Sequence, residues 1–424
     1  MRILFRYNRA PIHGETPQHS LIVRGYNVFD TLDMAPPDAI MGLTDAFKKD
    51  PNPNKINLTI GVYKDTDGNT PIFSAVKKAE ARVLADETTK SYLSIEGSEG
   101  YAKNVQTLLF GTGHEIITQR RAVTAHTPGG TGGLRVAADL IHSLNPAATV
   151  WLSEPTWPNH PGIFQAAGIA VKTYPYYDDD AKSLRFDAML AALEAAAEGD
   201  FVLLHGCCHN PTGLDPTLEQ WERVAELVKG RKLIPFLDFA YQGLGDGLEE
   251  DPAGLRTVCA QVPEAIVTSS FSKNFGLYRE RTGAVTILAS SEKAADAVRS
   301  HLKRTIRCNY SNPPAHGALI VTAILDDPAL RTEWETELRG MCARIRDMRE
   351  LFVRTLKEKG VERDFSFLTR QKGMFSYSGL SPEHVDKLRE EFSVYIVRSG
   401  RINVASITPS NMDALCNAIA AVLR

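Results

Sequence analysis

Three short stretches of this chain put reactive side chains where apolar runs end. Ser269-Ser270-Phe271-Ser272-Lys273 follows the run AIVT, with Arg281 eight residues beyond the lysine. At a strand end among small hydroxyl residues, a lysine can be desolvated and flanked by cations, and both effects free its amine to attack a carbonyl. Most lysines are merely solvated, so Lys273 alone is a weak sign of Schiff-base chemistry. Asp238-Phe239-Ala240-Tyr241 closes the run LIPFL. A carboxylate there faces the crevice in which α/β proteins bind ligands, although an Asp at such a junction also serves as a helix cap. Pro128-Gly129-Gly130-Thr131-Gly132-Gly133 leads into the helical pattern LRVAADLIHSL. Bare amides at a helix start form an anion pocket; a tight turn without a ligand fits the same residues.

The glycines also admit a dinucleotide reading, because Gly130 and Gly132 give G-x-G and Glu154 lies about 20 residues on, where a ribose-binding acid belongs. Arg135 fills the slot of the third glycine. A nicotinamide enzyme has no use for Lys273. Together, a phosphate pocket, an acid, a phenol and a lysine at successive strand ends meet the needs of pyridoxal phosphate, which takes an amine, a partner for its ring nitrogen and a clamp on its phosphate.

The elements that must position these groups are legible as an alternation of apolar runs and helical patterns from Ala122 onward, the mark of an α/β fold with a mostly parallel sheet flanked by helices. Strands are expected at residues 149–152, 201–205, 233–238, 265–269 and 284–288, and helices at 134–144 and 218–228. A long amphipathic helix over 333–359, interrupted by no proline and by one glycine, Gly340, would join two domains. Helical patterns at 382–391 and 410–423 and a β-like stretch at 394–397 suit a smaller α+β domain. The expected division is a large domain over 71–339, a small one from 28–70 with 340–424, and a disordered extension over 1–27. That extension carries Arg2, Arg6, Arg9 and Arg24 against one acid, Glu15, and lacks the apolar core of a secretory signal.

With 424 residues, 43% hydrophobic and 23% charged, the chain can bury a large core. A net charge of −3 without a basic run argues against nucleic acid, and the lack of a run of about 18 apolar residues argues against a membrane span. Cys207, Cys208, Cys259, Cys308, Cys342 and Cys416 are too irregular for a disulfide framework or a zinc site, so the expectation is a reducing cytoplasm and no metal. The neighbours Cys207, Cys208 and His209 lack the usual ligand spacing and read as packing.

Eight blocks, GVYKD from Gly61, PGGTGGLR from Pro128, WPNH from Trp157, HGCCHNPTG from His205, DFAYQG from Asp238, SFSKNFGLYRER from Ser270, IRCNYSNPPAHG from Ile306 and SGRINVA from Ser399, follow one another in an order that resembles the aspartate aminotransferase family. These are class I pyridoxal-phosphate aminotransferases of fold type I. The resemblance runs from about Phe29 to Leu423. It implies that Lys273 binds the cofactor and shuttles a proton, that Asp238 pairs with the ring nitrogen, and that Tyr241 and Asn210 face the ring oxygen. Trp157 would stack on the ring, and Gly130, Thr131, Ser270 and Arg281 would hold the phosphate. Gly61, Trp157, Asn210 and Arg401 would meet the substrate, Arg401 gripping its α-carboxylate. Tyr92 and Arg307 are implied to come from the other subunit of a homodimer with shared sites, Arg307 gripping the side-chain carboxylate. The implied reaction moves the amino group of aspartate to 2-oxoglutarate by a ping-pong route. An aromatic aminotransferase, with Arg307 swung aside, is the rival. Val62, Lys64, Thr70, Thr131 and Asn312 side with the aspartate branch, whereas Ser91 matches neither.

Overall fold

The apolar runs pair because the inner strands of the sheet are covered on both faces, which requires near-continuous hydrophobic sequence. In chain order the strands are β1 (Ala122–Pro128), β2 (Thr149–Glu154), β3 (Ala170–Pro175), β4 (Phe201–His205), β5 (Ile234–Phe239), β6 (Ala265–Ser270) and β7 (Thr282–Leu288). They form one seven-stranded sheet in the order β1-β7-β6-β5-β4-β2-β3. All pairings are parallel except those of β7, which runs antiparallel to both β1 and β6. Side chains alternate between the two faces. From β4, Phe201 and Leu203 enter one core with Phe236 and Ile266, while Val202 and Leu204 enter the other with Leu237 and Val267.

The computed structural model describes residues 29–34 and 41–424, so the expected extension over 1–27 lies outside the described residues. Phe29–Thr31 is a short 3-10 turn. Residues 41–424 belong to one compact unit. Its helices include α1 (Gly129–Leu144), α2 (Leu218–Gly230), α3 (Glu292–Asn309), α4 (Pro328–Glu358) and α5 (Pro409–Val422). Among the described residues no helix is long and apolar enough to cross a membrane.

Two helices start earlier than their sequence patterns predict. Glycine costs a helix about 1 kcal/mol per residue, which set the expected start of α1 at Leu134. In the fold its glycine-rich first turn abuts Ser270 and Arg281, and burial of Leu134, Val136 and Ala137 against the sheet offsets that cost. The start of α4 lies at an overlooked cap, where the Asp327 side chain accepts from the N–H groups of Ala329 and Leu330 ahead of a proline in the first turn.

The two ends of the described unit converge. Ile56–Asn57 pairs in parallel with Val394–Tyr395, and Phe375–Tyr377 pairs antiparallel with Arg401–Asn403. Asn403 N–H donates to Leu58 O at 2.9 Å, and its side-chain amide donates to Ile60 O at 2.6 Å. Segment 58–61 and Arg401 therefore reach the same point from opposite ends of the sequence.

Trp334 of α4 is fully buried, stacks on Phe275 at 4.3 Å and donates its ring N–H to Asn274 O at 2.7 Å, next to Lys273. Trp334→Phe keeps most of the apolar contact but strands that carbonyl. The expected loss is about 1 to 3 kcal/mol, read as a lower urea midpoint at unchanged slope. An unchanged midpoint would remove this hydrogen bond from the account of how the lysine loop is held.

Candidate active site

The C-terminal ends of β4, β5 and β6 deliver their last side chains to one cavity of about 200 Å³. Antiparallel β7 starts where its neighbours end, so Arg281, the residue before it, arrives at the same edge. Gly61, Gly130, Thr131, Trp157, Asn210, Asp238, Tyr241, Ser270, Lys273, Arg281 and Arg401 all line this space. Every candidate named from the sequence is there except Tyr92 and Arg307.

Asp238 comes from the end of β5. Its Oδ2 lies 3.0 Å from His160 Nε2, and Thr268 Oγ1 donates to its Oδ1 at 3.4 Å. Burial pushes this carboxyl up, but the hydrogen bond from His160 and nearby positive charge outweigh that and hold it below its ordinary value. His160 Nδ1 meets Thr156 Oγ1 at 2.8 Å, and the same oxygen meets His205 Nε2 at 3.1 Å. Burial pushes His205 down to about 3, so its ring is neutral at physiological pH.

Lys273 Nζ sits 5.0 Å from the centre of the Tyr241 ring. Burial lowers its pKa to about 8, with Asp238 opposing and Arg281 adding to the shift. On the far side, a Cβ on Gly129 would come within 2.4 Å of the Arg281 guanidinium, and one on Gly130 within 3.2 Å of Ser270 Cβ. Missing side chains there leave amides, a hydroxyl and a guanidinium around one small space, the donor set of an anion site.

Arg401 is 3% exposed and has no acid partner among the described residues. Its Nη2 donates to Thr59 O at 2.7 Å and its Nη1 to Asn210 Oδ1 at 3.3 Å, while Nε has no partner. The guanidinium lies 4.4 Å from the centre of the Phe375 ring. Burial lowers its pKa to about 10, which still leaves it charged at neutral pH. A buried cation without a carboxylate is costly unless a ligand supplies one.

Tyr92 and Arg307 line a separate groove of about 880 Å³ with Ser91 and Asn312. Tyr92 is 93% exposed, and Arg307, in the last turn of α3 (Glu292–Asn309), donates to Ser311 just beyond that helix.

Sequence reasoning singled out neither Thr156, His160 and His205 behind the acid nor Thr59 and Phe375 around Arg401. His160 and His205 stand in recognised blocks; Thr59 is marked only as a small residue where the resembled family commonly has glycine, and nothing in the sequence marks Phe375. Cys207, Cys208 and Asp251 bring ligand-type atoms within 4.8 Å of one another. Both Asp251 oxygens, however, accept N–H groups of Gly243, Gly245, Asp246 and Gly247, and burial pushes the Cys207 thiol up. His209 bonds Ser153 and Thr212 instead.

The aminotransferase class I and II family pattern matches residues 53–419. An aspartate aminotransferase of Salmonella typhi is 56% identical over 396 residues, spanning 93% of this chain and 100% of that one. An aromatic-amino-acid aminotransferase of Pseudomonas aeruginosa is 47% identical over 394 residues, spanning 93% and 98%. The crystal structure of an aromatic-amino-acid aminotransferase from Burkholderia pseudomallei, covalently bound to pyridoxal phosphate, superposes with a TM-score of 0.92 at 49% identity, covering 94% of this chain and 100% of that one.

The lysine carries a test of its surroundings. Its folded pKa of about 8 lies below the ordinary 10.5, so its buried charge costs stability in full below pH 8 and the cost fades as pH rises toward 10.5. In protein stripped of small molecules, Lys273→Met should gain about 3 kcal/mol at pH 7, and the gain should shrink by about pH 10. A gain independent of pH would rule out burial of the ammonium as its source.

Proposed function

Since the chain belongs to the class I and II aminotransferases, we propose that it moves the amino group of L-aspartate to 2-oxoglutarate, giving oxaloacetate and L-glutamate in a ping-pong sequence with pyridoxal 5′-phosphate. The observation that carries this reading is a buried, acid-free Arg401 lining the same cavity as an amine held near neutrality, Lys273. The residues present fit the cofactor. The space kept clear by Gly129 and Gly130 suits its phosphate, with Thr131, Ser270 and Arg281 as donors, and the ionised Asp238 suits its ring nitrogen.

Bound there, the cofactor supplies an aldehyde carbon that accepts an amine and a ring that withdraws electrons from the substrate Cα. Asp238 keeps a proton on the ring nitrogen, and His160 keeps Asp238 ionised. Arg401 grips the α-carboxylate as a planar fork, oriented by Thr59 and Asn210. With the cofactor bound, Lys273 Nζ would take the proton from the substrate Cα and deliver it to the former aldehyde carbon on the other side of the amine nitrogen, a task for which a pKa of about 8 suits neutral solution. Tyr241 and Asn210 donate to the ring oxygen, Trp157 covers the ring face, and Gly61 borders the substrate.

Tyr92 and Arg307 are assigned to the site of a second copy, because both stand exposed on a groove apart from the cavity. Arg307 would meet the β-carboxylate there. The division into a large domain over 71–339 and a small one from 28–70 with 340–424 belongs to the same proposal, as does a cytoplasmic location. An aromatic substrate is the second reading, favoured by the relatives of that name at 47% and 49% identity.

Adding aspartate to the cofactor-loaded protein should shift the cofactor's absorption band, and 2-oxoglutarate should restore it; a band indifferent to aspartate would sink the proposal. Borohydride reduction should fix the cofactor to Lys273 and to no other lysine. Arg307→Ala should remove about 1.5 to 3 kcal/mol of transition-state binding for aspartate while sparing phenylalanine, whereas Arg401→Ala should hurt both. Equal losses for the two substrates in Arg307→Ala would take that residue out of selectivity and leave the aromatic reading in front.

A further inference from the structure

We infer that Glu96 is a positioning residue for selectivity toward dicarboxylic substrates, acting through Lys303 on Arg307. The inference rests on the proposed reach of Arg307 into a second copy's site.

Helix α3 carries Arg299, Lys303 and Arg307 at intervals of four residues, so the three cations share one face. Glu96 Oε1 lies 2.8 Å from Lys303 Nζ and 3.8 Å from Arg299 Nη1. It is the acid that faces this stripe from another segment, the one that also carries Tyr92. Glu96 is itself anchored. Its carbonyl accepts the N–H of His126 in β1 at 2.9 Å, and the His126 carbonyl accepts the hydroxyl of Tyr310 at 3.0 Å. Next to it Gly97, with φ +89°, would place a Cβ 2.7 Å from His126 Cβ and 3.6 Å from Pro313. Only glycine allows the two loops to close this tightly against the strand.

Glu96 thus ties the segment that carries Tyr92 to α3, from a fixed point on the sheet. Its ion pair with Lys303, one turn before Arg307, sets how α3 is rotated. A rotation of about 10° carries a side chain about 6 Å from the helix axis through about 1 Å. Displacements of that size are enough to spoil a bidentate contact. With side chains 41% and 18% exposed, the pair itself adds little to global stability. The pair is better explained by position than by folding.

The test compares Glu96→Gln, Lys303→Gln, their double variant and Arg307→Ala as cofactor-loaded enzymes, with kcat and KM measured for aspartate and phenylalanine. Either single substitution should lower kcat/KM for aspartate about fivefold, chiefly through KM, with phenylalanine and the thermal midpoint essentially unchanged. The double variant should be no worse than either single, as expected for two members of one contact. Equal losses for both substrates, additive losses in the double variant, or an intact aspartate KM beside a selective Arg307→Ala would each overturn the role of Glu96 alone. If Arg307→Ala is itself unselective, the underlying reading falls and the inference falls with it.

Discussion

Asp238 has to stay ionised in a place that disfavours charge, and much of the site follows from how that is achieved. An isolated carboxylate taken from water would neutralise itself by binding a proton. Here His160 holds one oxygen, Thr268 the other, and the imidazole is braced in turn by Thr156 and the neutral ring of His205. Because His205 ends β4, Asp238 lies in β5 and Thr268 in β6, this polar cluster exists only while the three strands keep their register. His205 pairs with Asp238, and Asp238 with Thr268. A one-residue slip would turn the acid away from the cavity.

The antiparallel strand β7 solves a second problem. Parallel strands send their C-terminal ends to one edge, and a reversed strand brings its start there. Arg281 stands at that start, opposite the glycine-rich beginning of α1, so cationic and amide donors converge without a long loop. The same charge that is proposed to hold the phosphate also helps lower the pKa of Lys273.

The two arginines proposed to meet the substrate illustrate opposite uses of burial. Arg401 is desolvated and oriented before any ligand arrives, so its cost is met in the folded state and the gain appears on binding. Arg307 is exposed at the end of α3 and tied to Ser311 just beyond it. An exposed guanidinium tolerates being moved, which suits the role proposed for it.

The alternation of apolar runs determined the α/β class and located the strand that holds Asp238 and the one that leads to Lys273, because doubly covered strands must be continuously hydrophobic and therefore stand out locally. The glycine run, the acid, the phenol and the lysine were legible as separate pieces of chemistry for the same reason: each sits where a strand or helix boundary is written in neighbouring residues. Arg401 entered through its block, yet its unpartnered burial was not visible, since Thr59, Asn210 and Phe375 come from distant parts of the chain. Thr156, His160 and His205 likewise acquire meaning only when β4, β5 and a neighbouring helix pack together. The separation of Tyr92 and Arg307 from the cavity was expected from the resemblance alone, and only the tertiary structure decided which surface they share. Local sequence fixes what lies along an element, but charge burial and pairing between elements are properties of the packed whole, where distance along the chain no longer measures distance in space.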